Sequence, residues 1–246
     1  MSQPAAAPLA RLPFELVYDD GEPMEDHWHV IGKDLLIDQV HQVMAERGRS
    51  DYFTSGNIFV YYSFEQAEDV VKGRPYFRGP DFFYVGGVDG RRERHAWVSW
   101  EEGGRFPDLI VELLSPTTAQ VDRTTKKELY ARTFRTPEYY LYDFETTDLE
   151  GFLLAGDVYV PMAPNAQGRL RSRQLGLDLG LWHGVQDEVE TTWLRFYHPD
   201  GRLVPTREEA ASQRAEAERQ RADAAEARAE AALAELERLR AKLGNL

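Results

Sequence analysis

The sequence predicts one compact α/β domain followed by a long C-terminal helix, and three observations predict it. Short aromatic and β-branched runs alternate with stretches whose apolar residues recur at helical spacing. All 13 prolines lie at or before Pro205, and no glycine occurs between Arg207 and Leu243. Hydrophobic residues make up 42% of the 246 and aromatics 12%, enough to bury a core and to exclude a wholly disordered chain.

The elements follow in order. Residues 1–13 read as a flexible start, and Phe14–Tyr18 as a short strand ending in the turn Asp20-Gly21. Ile31, Leu35, Ile37, Val40, Val43 and Met44 set a helix over His29–Arg47, which Gly48 ends. Strands are expected at Ile58–Tyr62, Asp81–Val85, Ala96–Trp100 and Leu109–Leu114, separated by Gly-rich or charged loops. Pro116-Thr117-Thr118 leads into a helix over Val121–Arg135, and Tyr139–Tyr142 returns as a strand. Gly151–Leu154, Val158–Met162 and Trp193–Tyr197 are short strands between turn-forming residues. The domain is expected to span 14–205.

Residues 206–246 form the helical tail. Thr206 with Glu209 three residues on is a capping-box pattern directly after Pro205. A seam of Ala211, Ala215, Glu218, Ala222, Ala225, Ala229, Ala232, Leu236, Leu239 and Leu243 alternates spacings of four and three, as a coiled coil requires. The expectation is a homo-oligomer, a dimer through the tail; a solitary alanine-rich helix is the other reading.

Composition narrows the function. There is no cysteine, which removes disulfide and thiolate chemistry and suits a reducing compartment, so the expected location is cytoplasmic. No apolar run approaches the ~18 residues that cross a bilayer, and the N-terminus has no basic lead-in of a secretory signal. Net charge is −13; Arg207 to Lys242 holds 8 basic and 9 acidic residues, so the preceding part carries nearly all of it. A nucleic-acid partner must therefore be met by local basic patches. Arg91, Arg92 and Arg94, in a loop between strands, are candidates for phosphate contact, with solvated loop charge as the alternative.

Several chemistries are absent. Gly32-Lys33 is followed by Asp34 inside a helix, so there is no P-loop, and no G-x-S-x-G, H-E-x-x-H or strand-linked G-x-G-x-x-G occurs. Carboxylates remain. In Gly79-Pro80-Asp81-Phe82-Phe83-Tyr84-Val85 an aspartate opens an apolar strand; alone, it reads as a turn residue. In Pro107-Asp108-Leu109-Ile110-Val111-Glu112-Leu113-Leu114 a glutamate interrupts an aliphatic run, with Asp108, Ile110, Glu112 and Leu114 on one face. Burying that carboxylate is costly unless it is protonated, paired or metal-bound. Either a buried ion pair or a hard-cation site follows, since magnesium takes oxygen ligands. Asp122, Lys126 and Tyr130 share a face of the next helix at i, i+4 and i+8. Lys126 and Lys127 are therefore within reach of the strand of Glu112, or Asp122–Lys126 is an exposed helical pair.

An aspartate, a glutamate on a later strand and a nearby lysine resemble the constellation of the PD-(D/E)XK nuclease superfamily. More closely, GPDFFYV, PDLIVELLSPTTAQVDRTTKKELY and TPEYYLYD resemble the Uma-two family of restriction-endonuclease-like proteins, over approximately residues 14–185. DDGEPMEDHWH also looks like that family's opening, with His29 matching its helix-leading histidine. The resemblance implies a restriction-endonuclease-like fold, a mixed central sheet flanked by helices. It implies a metal-dependent endonuclease acting on DNA, with Asp81 and Glu112 holding Mg2+ or Mn2+ and Lys126 completing the catalytic set. Leu114 stands where the superfamily's usual lysine would be, and Lys126 on the following helix is inferred to substitute, with Lys127 as the other candidate. Glu22, His29 and Asp108 are accessory candidates. The alternative is a non-catalytic interaction protein that uses a degenerate nuclease fold as a scaffold and the tail to recruit partners.

Overall fold

The computed structural model describes residues 16, 27–73 and 79–243. Segment 1–13, the strand expected at Phe14–Tyr18 (apart from Leu16), the turn Asp20-Gly21 and Glu22 lie outside these residues. The chain forms two compact units, Met1–Val204 and Pro205–Leu246.

The first unit opens with helix α1, His27–Glu46, which buries Ile31, Leu35, Leu36, Val40, Val43 and Met44. It ends at Gly48, whose φ of +63° is the left-handed conformation that glycine takes without a Cβ clash. The strands are β1 Tyr52–Ser55, β2 Val60–Tyr61, β3 Phe82–Gly86, β4 Trp97–Val98, β5 Leu109–Leu114 and β6 Glu138–Asp143. They continue with β7 Leu149–Ala155, β8 Val158–Pro161, β9 Leu170–Ser172, β10 Leu177–Gln186 and β11 Val189–Tyr197. Helix α2 covers Phe64–Val71. Helix α3 runs over 119–134, built from α-helical turns at Ala119–Val121 and Lys127–Leu129 and π-helical turns at Asp122–Lys126 and Tyr130–Phe134.

The central sheet has six strands in the order β1-β3-β5-β6-β7-β8. Its pairs are antiparallel except β5 with β6, so the sheet is mixed. A parallel pair needs a crossover, and α3 is the one between β5 and β6. Beside it, β11-β10-β9 form an antiparallel sheet, and β2 pairs with β4. Alternation along β5 sorts its side chains into two cores. Leu109, Val111 and Leu113 pack with Leu36, Val40 and Val43 of α1 and with Leu177, Leu194 and Phe196. Ile110 and Leu114 face the other way, among Phe83, Tyr139, Leu141 and Tyr130 and Phe134 of α3. Glu112 shares the parity of the second set, which puts its carboxylate under α3.

Several expected elements shrink or shift. The Ile58–Tyr62 strand is only Val60–Tyr61, because Asn57 just before it is left-handed, with φ 55°, and turns the chain. Ala96–Trp100 keeps two strand residues and then winds into a 3-10 turn at Ser99–Glu102, capped by left-handed Gly103. Helix α2 escapes the periodicity reading because it is only eight residues long. It has its own capping box: Ser63 Oγ accepts from Gln66 N at 3.1 Å, and Gln66 Oε1 accepts from Tyr62 N at 3.2 Å. Strands β1 and β10 were also unforeseen; the first is four residues long, and two glycines interrupt the second.

The second unit is helix α4, Arg207–Leu243. Its capping box closes reciprocally: Glu209 Oε2 accepts from Thr206 N at 2.7 Å, and Thr206 Oγ1 accepts from Glu209 N at 3.1 Å. Leu236 and Leu239 of the apolar seam are about half exposed. Pairing with a second copy would cover them. Light scattering on the full chain is expected to give a higher oligomeric order than on a chain ending at Pro205, whose domain should still melt cooperatively. The same number of copies in both would exclude pairing through the tail.

Candidate active site

Asp81 leads into β3, and Glu112 lies in the middle of β5. The antiparallel register Phe82↔Val111 makes the two residues next neighbours across the ladder. The Asp81 backbone N–H donates to Glu112 Oε2 at 3.2 Å, and Asp81 Oδ2 accepts from Leu113 N at 2.7 Å. Each carboxylate is thus held by the other strand's backbone. Glu112 is fully buried.

Helix α3 supplies the remaining groups. Lys126 Nζ lies 3.2 Å from Glu112 Oε2 and 2.8 Å from Asp122 Oδ1, and all three side chains are almost wholly buried. Tyr130 OH donates to Glu112 Oε1 at 2.7 Å. Tyr139 OH, from β6, donates to the Asp122 carbonyl at 2.9 Å and ties α3 down at that point. Both π-helical turns of α3 coincide with these residues, Asp122–Lys126 and Tyr130–Phe134. Such turns widen the helix locally and recur at functional sites.

A tight backbone contact fixes Asp81. A Cβ on Gly56 would come within 1.8 Å of the Asp81 carbonyl oxygen, so only glycine fits there. A Cβ on Gly79 would meet the Ile58 carbonyl at 1.9 Å, and Asn57 N donates to Pro80 O at 3.0 Å. The turn after β1 therefore clamps the segment that carries Asp81.

The charges are unbalanced. Asp81, Glu112 and Asp122 surround one ammonium, a net of −2 with all four ionised. Burial pushes the Glu112 carboxyl above the usual carboxylate range; Asp122 adds to the push, while Lys126 and the Tyr130 hydroxyl pull against it. Burial alone would depress the Lys126 ammonium, but Glu112, Asp81 and Asp122 overcome it and hold Lys126 above the ordinary lysine range. Burial, and then the Glu112 carboxylate, raise the Tyr130 hydroxyl, so it stays a neutral donor. Asp81 and Glu112 could supply the carboxylate oxygens that a hard divalent cation takes, one or two carboxylates with water completing its shell. Among the described residues no group of three or more His, Asp or Glu is arranged around a common metal position, so water would fill the rest of the shell.

The structure brings together Asp81, Glu112 and Lys126, the three residues nominated from the sequence. It also answers the question of Glu112's counter-charge: a lysine is already beside it. The exposed-pair reading of Asp122–Lys126 is corrected, because both are buried. Asp122 and Tyr130 were legible only as neighbours on one helical face, and their part in the site was missed. The accessory candidates lie apart. Asp108, at the far end of β5, accepts from Gly86 N at 2.7 Å and faces Arg105 at 3.6 Å, a structural role at the ladder's end. His29 is buried edge-on to Phe144, with centroids 5.5 Å apart, and exposed His27 precedes it on α1. Lys127 puts its ammonium 3.2 Å from the centroid of the Phe152 ring. The three loop arginines separate as well. Arg94 is buried in a two-pronged pair with Glu102, at 2.8 and 3.0 Å, and Arg92 binds Glu101 at 2.9 Å and Glu102 at 3.2 Å. Their expected role as a loop of phosphate contacts is corrected for these two, which carboxylates already hold. The Arg91 side chain has no partner among the described residues.

The first unit is thus a mixed-sheet α/β protein that sets a strand-borne aspartate and glutamate beside a helix-borne lysine. The chain belongs to the Uma2 family, described as "Putative restriction endonuclease", whose model matches residues 10–190. A solved structure from Anabaena variabilis ATCC 29413, titled as a "putative nuclease belonging to DUF820", is 15% identical. The likeness covers 64% of this chain and 81% of that one, with a TM-score of 0.42. No curated protein matches. No helix among the described residues is long and apolar enough to cross a membrane.

Two outcomes follow from the geometry. Lys126→Met leaves three buried carboxylates without a cation and is expected to cost about 3–5 kcal/mol. Glu112→Gln leaves Lys126 with Asp122 and Asp81 and should cost clearly less, as thermal melts without metal will show. In Lys126→Met the folded Glu112 carboxyl, already raised by burial, loses the ammonium that pulled against the rise and holds its proton more tightly than in the unfolded chain. Stability is then fullest below the ordinary carboxylate range and is lost as pH rises through and above it. Gly56→Ala must displace the Asp81 backbone and is expected to lower the melting temperature by several degrees, measured by circular dichroism.

Proposed function

We propose that the chain is a metal-dependent endonuclease that hydrolyses phosphodiester bonds in DNA, as a member of the PD-(D/E)XK superfamily. One observation carries the reading: Asp81, Glu112 and Lys126, from two adjacent strands and the crossover helix, converge in one buried cluster whose negative charge exceeds its positive. Asp81 and Glu112 would hold Mg2+ or Mn2+. The bound ion supplies Lewis-acid charge for the phosphate and its attacking water.

The chain's own residues do the rest. Lys126, held by Asp122, brings a fixed positive charge to where the phosphate gains negative charge as water oxygen bonds to phosphorus and the P–O bond to the leaving group breaks. Tyr130 keeps Glu112 in one orientation by donating to Oε1. The Gly56 turn keeps Asp81 at the end of its strand. The scaffold reading draws on the same contacts, because Lys126 already serves Glu112 as a counter-charge.

Incubation with duplex, single-stranded and branched DNA, with Mg2+ or Mn2+, tests the reading. Metal-dependent cleavage is expected from the parent and none from Asp81→Ala or Glu112→Gln. Lys126→Ala should cut about 10²-fold more slowly or worse, the usual loss when one transition-state donor is removed. Magnesium should raise the parent's melting temperature by mass action and leave that of Glu112→Gln unchanged. A parent that neither cuts nor gains stability from either metal is a scaffold.

A further inference from the structure

We infer that a cavity of about 360 Å³ along β1, the outer strand of the six-stranded sheet, is a phosphate-ester site, separate from the carboxylate cluster. Its lining includes His41, Arg49, Ser50, Tyr52, Gly90 and Arg91, and none of its lining residues is acidic. On a chain of net charge −13 this is a local concentration of cations and hydroxyls. Its phosphate can come from a nucleic-acid strand or from a free nucleotide, and only the first source rests on the nuclease reading.

The cavity is built by a turn fastened to the sheet edge. Gly87 N and Val88 N both donate to the Asp51 carbonyl, at 2.7 and 3.3 Å. Gly90 packs so closely that a Cβ would lie 2.4 Å from the carbonyl oxygens of both Ser50 and Tyr52. Arg94 Nη1 donates to the carbonyls of Asp89 and Arg92, at 2.9 and 3.1 Å, and Arg91 N donates to Asp89 Oδ1 at 3.0 Å. The backbone of Arg91 is thus fixed, while its guanidinium binds nothing among the described residues. Across the cavity, His41 Nδ1 and Tyr52 OH are 2.6 Å apart. Arg49 is held in place by a two-pronged pair with Asp51, both contacts 2.9 Å. An exposed guanidinium on a fixed backbone, with five donors that bind nothing among the described residues and flanked by a second arginine and hydroxyls, matches the oxygens of a phosphate.

Its position suits a strand that also reaches the carboxylates. Tyr52 pairs with Gly86 and Thr54 with Tyr84, whereas Asp81 immediately precedes β3. At ~3.3 Å per residue the cavity lies roughly 10–17 Å from Asp81 along the sheet. Because His41 and Tyr52 lie on the α1 side and Glu112 on the α3 side, one oligonucleotide would have to pass round the β1 edge to reach both.

The test measures binding without cleavage, in EDTA, with the full chain. Fluorescence anisotropy follows a labelled DNA oligonucleotide over a series of salt concentrations. Backbone amide resonances of Gly90 and Arg91 follow added mononucleotide or inorganic phosphate. Arg91→Ala is expected to weaken oligonucleotide binding severalfold and to reduce the slope of log K against log salt by about one, with an unchanged melting temperature. Arg202→Ala, an exposed arginine paired with Asp200, should change neither. Amide shifts with mononucleotide that Arg91→Ala abolishes support the site even if no oligonucleotide binds, and in that case the nuclease reading fails alone. Unchanged affinity and slope in Arg91→Ala, with no amide shift on adding either small phosphate, overturn the site.

Discussion

The buried ammonium of Lys126 is the constraint on which the candidate site rests. Glu112 has no exposure at all, and Asp122 almost none. Two such carboxylates in an apolar core would neutralise by taking up protons unless a cation lay between them. Lys126 meets both, and its helix owes its place to the sheet. Because β5 and β6 are parallel, the chain must cross over between them, and the crossover covers the face to which Glu112 points. The same topological demand that closes the second core therefore delivers the counter-charge. A lysine two residues after Glu112 on β5 would reach the same face, but that position is Leu114, which packs with the crossover helix instead.

One cation does not neutralise three carboxylates, and under the proposed function that surplus would favour a small, hard, doubly charged ion. A purely structural solution would be expected to match charges one to one, because unmatched buried charge costs several kcal/mol. Phenolic donors moderate the surplus without cancelling it. Tyr130 binds Glu112 directly, and Tyr139 binds the backbone at Asp122, with both hydroxyls pushed well above their usual range by burial and by the carboxylates. They remain neutral hydrogen-bond donors across any working pH, so they orient the cluster and leave its charge unchanged.

What the sequence made legible depended on the range of the interaction. β5 was readable to its end residues because six successive buried positions leave no other strand register. The parity of Glu112 followed from that, and the spacing of Asp122, Lys126 and Tyr130 showed their common face. The partners across the fold were not legible. Nothing local in Gly56 announces that the Asp81 carbonyl, 25 residues on, occupies the space of its missing Cβ. Nor does the run Arg91-Arg92-Glu93-Arg94 reveal that Glu101 and Glu102, beyond an intervening strand, take two of its three arginines. The short elements failed for a related reason: four-residue β1 and eight-residue α2 span too few periods for hydrophobic spacing to be distinguished from chance.

The acidic total and a phosphate-bearing ligand are compatible because charge acts over a limited range. At ~0.1 M salt the Debye length is about 10 Å, so a carboxylate on the far side of the domain contributes little where a phosphate docks. The tail, with 8 basic and 9 acidic residues from Arg207 to Lys242, adds little net charge. What counts is the set of charges within one screening length, and there a paired and an unpaired arginine differ. Arg92 and Arg94 stand beside Glu101 and Glu102, so an approaching anion meets near-neutral pairs. Arg49 is likewise offset by Asp51. Arg91 alone among these four has a guanidinium with no partner among the described residues, although the Asp89 carboxylate accepts from its backbone N–H at 3.0 Å, and it projects from a turn pinned by Gly90 to the sheet edge. In a strongly acidic protein, the location of one unpaired guanidinium therefore decides where an anion can bind more than the sum of all its charges does.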